Sequence, residues 1–286
     1  MMRMSPLMVG VVIVALGTSL PELVSSIIAA SKGNTEIVAG NVLGANISNI
    51  FLMLGCVTLV AGTSIFLGEE YIFIDLHFML GSAVLVSYFM WQGTIGTVEG
   101  AILMIGFLIY QIHLFQSEKP KEMPVISEEA EISEIRKSNA RNDVLILIAS
   151  GVGIYFGAEY TVQSIIDIAH HMDIDEGLVS ITALSLGTTL PELSVSITAT
   201  RRGHAEIAIG NILGSCIFNA LAVTGTAAVI APIHITPLLR EVALVFFLIA
   251  SVFFYLLAQD KKISKWEGLL FLLFYVVFFL KIIKVI

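Results

Sequence analysis

The sequence predicts an all-α polytopic membrane protein made of two inverted-topology repeats, with about nine transmembrane helices. Three observations lead to this fold class. First, 57% of the 286 residues are hydrophobic and only 13% are charged, whereas soluble domains average about 25% charged residues. Second, apolar runs of about 18 residues or more, each long enough to cross a bilayer, recur along the chain. Third, a motif near the N-terminus returns in the second half of the chain.

Nine apolar segments are predicted as membrane-spanning helices. They cover roughly residues 7–30, 36–62, 72–91, 97–115, 143–171, 177–200, 205–231, 238–258 and 265–286. One hydrophilic stretch, residues 116–142, carries prolines and clustered charges, and it is predicted to be a solvated loop with a short amphipathic helix near residues 132–135. This loop separates a first transmembrane repeat, residues 1–115, from a second, residues 143–286.

The distribution of lysine and arginine predicts the orientation in the membrane. If all nine segments cross, eleven of these residues fall on the side that holds the N-terminus and residues 116–142, and four fall on the other. Since cytoplasmic loops carry an excess of positive charge, the central loop is predicted to be cytoplasmic. We expect a multi-pass protein of the plasma membrane, and the sequence makes no prediction of its oligomeric state.

Composition also excludes several classes of function. The net charge is −8 and no basic stripe is present, so nucleic acid is not an expected partner. Cys56 and Cys216 lie in separate apolar segments and are too few for a disulfide framework or a cysteine-based metal site. Because no Ser/His or paired-Asp constellation indicates an intramembrane hydrolase, we expect a protein that is not an enzyme and that carries no cofactor.

The internal repeat begins with "VALGTSLPEL" at residues 14–23 and "LSLGTTLPEL" at residues 184–193. At an offset of 170 the match continues without a gap to "GNVLGANISN" at residues 40–49 and "GNILGSCIFN" at residues 210–219. The first copy starts in the first span and the second in the sixth, so an odd number of crossings inverts the second copy. Inverted repeats with interrupted helices predict a binding site near the membrane midplane, between the halves.

The repeat also predicts a helix that the sequence does not contain. Residues 143–171 form a span ahead of the second motif, and the equivalent span of the first half would precede Met1. A truncated start, a misassigned start codon and a protein that works with nine helices are all open explanations.

Each motif predicts a cluster of hard oxygen ligands. Pro21 and Pro191 lack the amide hydrogen that a helix needs, so each motif helix is expected to break or bend and to free carbonyl oxygens. Hydroxyl side chains precede each proline, and Glu22 and Glu192 follow on the same helix face. Carboxylates, carbonyls and hydroxyls are calcium ligands. The lack of nitrogen and sulfur ligands in the motifs disfavours zinc, copper or iron.

The second repeated block supplies amide side chains as well as glycines. Its glycines, at four-residue spacing, predict close packing of helices. Buried amides need partners, so its asparagines are expected either to cap freed backbone or, for Asn49 and Asn219, to reach the ion site. Glu36 and Glu206 are predicted to complement the helix dipole at helix starts.

The paired GTxLPE and GNxxGxxxxN motifs resemble those of the cation/calcium exchanger superfamily, most closely its prokaryotic sodium/calcium exchangers. The resemblance covers nearly the whole chain and implies ten helices in two inverted repeats, with ion sites between the motif helices. Position by position, it implies metal ligation by the carbonyl groups of Ala15 and Ser185 and by the side chains of Thr18, Ser19, Glu22, Asn49, Thr188, Thr189, Glu192, Ser215 and Asn219.

Two residues depart from the family pattern. Ala45 stands where a serine often contributes to a sodium site, and Asn219 stands where several members carry aspartate. Since potassium-dependent relatives tend to have the acid at that position, Asn219 disfavours potassium coupling.

The resemblance implies a secondary antiporter that exchanges calcium for sodium across the membrane by alternating access. Exchange of calcium for protons is an alternative, in which Glu22 and Glu192 take up protons when calcium is absent. A membrane protein that transports nothing is a less favoured reading. The expected partners are therefore Ca²⁺, Na⁺ and the lipid bilayer.

Overall fold

The computed structural model of this chain describes residues 9–67, 71–117 and 140–283. Within these ranges the chain is mostly helical, and nine helical stretches follow one another. They are α1 (Val9–Val14, Ala15–Thr18, Leu20–Ser31), α2 (Thr35–Ile47, Ser48–Met53, Leu54–Ala61), α3 (Tyr71–Trp91), α4 (Thr97–Ser117), α5 (Ala140–Met172), α6 (Glu176–Val179, Ser180–Leu184, Ser185–Arg201), α7 (Ala205–Ile217, Phe218–Val223, Thr224–Ile230), α8 (Leu239–Ala243, Leu244–Ala258) and α9 (Lys265–Ile282).

Two predicted features of the central loop cannot be compared with the structure. Most of residues 116–142, and the amphipathic helix predicted near residues 132–135, lie outside the described residues.

Six of these helices are long and apolar enough to cross a membrane. They are α2, α3, α4, α6, α7 and α8, and the bent helix α1 makes a seventh when its two parts are taken as one span. Helices α5 and α9 coincide with two further predicted spans but are not among those six. The described part of the chain therefore contains six or seven apolar spans, against the nine predicted.

Four short strands pair the loops with one another. The all-α prediction did not include these strands. Strand β1 (Ile65–Phe66) pairs antiparallel with β4 (Lys262–Ile263), and β2 (Thr94–Ile95) pairs with β3 (Ile233–His234). A strand of two residues is too short to show an alternating pattern of apolar and polar residues in the sequence. Its hydrogen bonds satisfy backbone N–H and C=O groups of the loops, which no helix can satisfy. Each pair joins loops that the alternation of spans predicts to lie on the same face of the membrane.

Helices α2 and α7, which carry the second repeated block, form the centre of the bundle. Within their apolar windows, 83% of α2 and 94% of α7 are buried, as expected for helices that are apolar all round. Glycines allow neighbouring helices to approach closely. A β-carbon at Gly44 would lie 2.4 Å from Ser185 Oγ of α6, and one at Gly214 would lie 2.6 Å from Val11 O of α1. The predicted packing role of these glycines is confirmed.

The two proline-containing motifs differ in their effect on the helix. Helix α1 is interrupted at Ser19 and bends by 45° there, as predicted. Helix α6 continues through Pro191, so of the predicted break or bend the second motif shows no break. Thr189 donates a hydrogen bond to Ser185 O at 2.6 Å and holds its own turn together. Ser19, at the equivalent position, points its hydroxyl across the interface to the other half.

Candidate functional site

The site lies where the motif helices α1 and α6 meet the central helices α2 and α7. Glu22 of α1 is 1% exposed and Glu192 of α6 is fully buried. The remaining predicted site residues are buried apart from Thr18, which is half-buried. Two carboxylates thus sit in the interior of an apolar bundle, one from each half of the chain.

Residues of the first half surround the carboxylate of the second half. Ser19 Oγ donates to Glu192 Oε1 at 2.5 Å and is 3.0 Å from Ser215 Oγ. Thr18 Oγ1 lies 3.5 Å from the same carboxylate oxygen, and Asn49 of α2 is a further neighbour of Glu192. The predicted ligands Thr18, Ser19, Glu192 and Ser215 therefore form one contacting group.

The environment of Glu22 is not a copy of this arrangement. Thr188 lies beside the Glu22 carboxylate, yet neither oxygen of that carboxylate has a hydrogen-bond partner among the described residues. Thr189, the counterpart of Ser19, bonds to its own helix, and Ala45, the counterpart of Ser215, has no hydroxyl. The first half therefore leaves its carboxylate open.

Several buried oxygens of the site lack a donor within the described part of the chain. They are Glu22 Oε1 and Oε2, Glu192 Oε2, Asn49 Oδ1 and Asn219 Oδ1. An unpartnered carboxylate in a membrane interior costs several kcal/mol. Carboxylate and amide oxygens are ligands that a hard cation such as calcium takes, about six to eight at a time.

The two predicted carbonyl ligands already accept hydrogen bonds within their own helices. Ala15 O accepts from Ser19 N at 3.0 Å, and Ser185 O accepts from the hydroxyl of Thr189. A second hydroxyl also lies near each carbonyl oxygen, Thr18 Oγ1 at 3.4 Å from Ala15 O and Thr188 Oγ1 at 3.3 Å from Ser185 O. A cation bound at either carbonyl would take the place of that hydroxyl contact.

Two asparagines outside the predicted ligand set hold the motif helices in place. Asn41 Nδ2 lies 3.5 Å from Glu22 O and 3.3 Å from Ser26 Oγ. Asn211 Nδ2 lies 3.4 Å from Glu192 O and 2.9 Å from Ser196 Oγ. Some asparagines of the second block were expected to cap backbone freed by broken helices. This pair does contact backbone carbonyls of the motif helices, but α6 is not broken there. The repeated Gly-Asn dipeptide was the sequence signal.

Glu36 and Glu206 lie away from this group. Each occupies the first turn of its helix, α2 or α7, as predicted. Glu36 has Asp175, Glu176 and His234 as charged or titratable neighbours.

Comparison with known families gives a match over nearly the whole chain. The family model described as "Sodium/calcium exchanger protein" matches residues 1–116 and 142–284. The putative antiporter CaxA of Alkalimonas amylolytica is 31% identical over 237 residues, which are 81% of this chain and 72% of that protein. The sodium/calcium exchanger MaX1 of Methanosarcina acetivorans is 27% identical over 318 residues, with 96% of this chain and 88% of MaX1 covered.

The fold is also similar to that of a solved exchanger. A structure of the sodium-calcium exchanger NCX_Mj, from crystals soaked with Na⁺ and Ca²⁺, superimposes with a TM-score of 0.71 at 26% sequence identity. The alignment covers 96% of this chain and 86% of that one.

Proposed function

Because the chain belongs to the sodium/calcium exchanger family, we propose that it is a secondary antiporter that exchanges Ca²⁺ for Na⁺ across the membrane by alternating access. The observation that carries the proposal is the pair of buried glutamates, one from each half. Both carboxylate oxygens of Glu22 and one of Glu192 lack donors within the described residues. Ionised, the pair balances the charge of one Ca²⁺. Neutral oxygens around it complete the shell that sodium or calcium needs.

The proposed ligands are those that the family resemblance implies. Glu22 and Glu192 bind calcium, and the hydroxyls of Thr18, Ser19, Thr188 and Thr189 chiefly serve sodium. Further oxygens come from the carbonyls of Ala15 and Ser185 and from the side chains of Asn49, Ser215 and Asn219. The contacts of Glu192 with Thr18 and Ser19 support a site shared between the halves, because they join the two motifs directly.

We further propose that residues 1–115 and 143–286 are inverted repeats and that all nine helices cross the membrane. Equivalent asparagines make equivalent contacts with their motif helices at the offset of 170. The strand pairs support alternating crossings, since β1 meets β4 and β2 meets β3. The proposed orientation places residues 116–142 in the cytoplasm.

Calcium/proton exchange is the second candidate, because the unpartnered oxygens of Glu22 can also be neutralised by a proton. The two functions separate in proteoliposomes loaded with calcium and assayed under one imposed gradient at a time. Sodium/calcium exchange requires calcium flux under a sodium gradient with pH equal on both sides. Flux that follows a pH gradient and ignores sodium would reject the proposal in favour of proton coupling.

Replacing Thr188 by valine should weaken sodium binding more than calcium binding. The change keeps the shape of the side chain and removes a hydroxyl beside the Glu22 carboxylate. We expect the half-saturating sodium concentration to rise by about three- to tenfold, the effect of one lost polar contact. Thr198→Val is the matched control, since Thr198 lies on the same helix with its hydroxyl bonded to Ser194 O, but is exposed. An unchanged sodium dependence in Thr188→Val would remove Thr188 from the ligand set.

Exchange should be electrogenic. If more than two sodium ions move for each calcium, as the family resemblance implies, net charge crosses the membrane in each cycle. Each such charge couples to the potential by about 2.3 kcal/mol per 100 mV. In proteoliposomes clamped with potassium and valinomycin, sodium-driven calcium flux should change with the imposed potential. Flux that is equal at all potentials would contradict this stoichiometry.

A further inference from the structure

Each half of the chain places an amide between its own glutamate and a threonine of the other half. Thr18 Oγ1 of α1 donates to Asn211 Oδ1 of α7 at 3.2 Å. Thr188 Oγ1 of α6 lies 3.5 Å from Asn41 Oδ1 of α2. Both asparagines are fully buried. The same crossed contact thus occurs twice, once in each direction between the halves.

The orientation of both amides follows from their partners. The backbone carbonyls of Glu22 and Glu192 can only accept hydrogen bonds, so the NH₂ group of each asparagine must face the glutamate of its own half. The amide oxygen then points to the opposite half. The assignment of oxygen and nitrogen in both amides follows from these carbonyl contacts, which are 3.5 Å for Asn41 and 3.4 Å for Asn211.

The threonine at the end of each bridge also touches the glutamate that the bridge holds. Thr18 is 3.5 Å from Glu192 Oε1, and Asn211 contacts the backbone of Glu192. Thr188 lies beside the Glu22 carboxylate, and Asn41 contacts the backbone of Glu22. Each threonine hydroxyl therefore lies near both the carboxylate of a glutamate and the asparagine that contacts the backbone of the same glutamate.

A threonine that gives a lone pair to a cation must send its hydroxyl hydrogen to another acceptor. Thr18 Oγ1 reaches Val14 O at 2.9 Å and Ala15 O at 3.4 Å in its own helix, Glu192 Oε1 at 3.5 Å, and Asn211 Oδ1 at 3.2 Å. Thr188 Oγ1 reaches Leu184 O at 3.1 Å and Ser185 O at 3.3 Å in its own helix, and Asn41 Oδ1 at 3.5 Å. Of these acceptors, only the asparagine oxygen lies outside the helix of the threonine and is not itself a proposed cation ligand.

We infer that Asn41 and Asn211 are positioning residues that couple the two half-sites. Asn211 sets Thr18 against Glu192, and Asn41 sets Thr188 against Glu22, so that a hydroxyl and a carboxylate from opposite halves reach the cation together. The inference rests on the proposed function. It adds the identity of the residues that make cation binding in one half depend on the other half.

Double-mutant cycles test whether each asparagine acts through the threonine of the opposite half. The variants are Asn41→Ala, Asn211→Ala, Thr18→Val and Thr188→Val, with the four Asn/Thr double variants, and the half-saturating sodium concentration for calcium exchange is measured for each. We expect each asparagine variant to raise it by about tenfold, as for a lost buried hydrogen bond. In the crossed pairs, Asn211 with Thr18 and Asn41 with Thr188, the double variant should need no more sodium than the more impaired of its two single variants. In the uncrossed pairs, the fold-changes of the two single variants should multiply.

Independent effects in all four pairs, or equal coupling in crossed and uncrossed pairs, would overturn the inference. A general effect on helix packing would not distinguish the crossed pairs from the uncrossed ones. If an alanine variant does not fold, Asn→Ser at the same position keeps a short polar group, and the cycles are repeated with it. If the wild-type protein moves no calcium under a sodium gradient, the proposed function fails. The same cycles are then measured as the shift in Tm that Na⁺ or Ca²⁺ produces in detergent.

Discussion

Replacement of Glu192 by glutamine is expected to abolish calcium exchange, lowering the rate by about 100-fold or more. Removing one charge from a buried, hydrogen-bonded ion site costs about 2–5 kcal/mol, and a single remaining carboxylate cannot balance Ca²⁺. Glutamine keeps the size of the side chain and an oxygen that can accept from Ser19, so the fold should persist. Without cations the variant should be at least as stable as the wild type, because it no longer buries an unpaired charge.

The measurement is calcium flux in proteoliposomes, beside Tm in detergent with and without Ca²⁺. Glu22→Gln should behave in the same way and lose the stabilisation by Ca²⁺. Glu206→Gln is the matched control, since Glu206 is exposed in the first turn of α7, outside the site. Wild-type flux in Glu192→Gln would end the assignment of this residue as a ligand.

The helices and the two buried carboxylates of the candidate site could be predicted from the sequence because both depend on local pattern. The fourth span was predicted at residues 97–115 and is the helix Thr97–Ser117. An apolar run has a length that matches a helix, and the loops around it are polar. The motif carboxylates were identified because a glutamate within an apolar segment is energetically costly and is therefore expected to have a function. Its recurrence at a fixed offset supports that interpretation.

The contacts between the halves could not be predicted, because a repeat shows what each half contains and not which atoms meet. Ser19 and Thr189 occupy equivalent positions with similar hydroxyls, yet one crosses to Glu192 and the other bonds to its own helix. The roles of Asn41 and Asn211 also depend on a partner about 150 or more residues away in the chain. Tertiary packing decides these choices, and helix propensity does not.

Replacement of Gly44 by alanine is expected to reduce exchange by more than about tenfold and to lower stability by about 1–3 kcal/mol, the usual cost of overpacking. The new β-carbon would lie 2.4 Å from Ser185 Oγ and 2.7 Å from Ile181 O. The serine hydroxyl can rotate away, but the backbone carbonyl cannot. Helix α6 must therefore move away from α2 at the residue whose carbonyl is a proposed ligand.

Gly81→Ala is the control for this prediction, because a β-carbon at Gly81 in the interior of α3 would meet nothing within 4 Å. Alanine favours a helix over glycine by about 1 kcal/mol, so Gly81→Ala should hold or raise Tm while Gly44→Ala lowers it. The two substitutions are chemically identical, and opposite signs would show that the close approach of α2 and α6 causes the loss. If Gly44→Ala matched Gly81→Ala in both Tm and calcium flux, the contact between α2 and α6 at Ser185 would not set the geometry of the site.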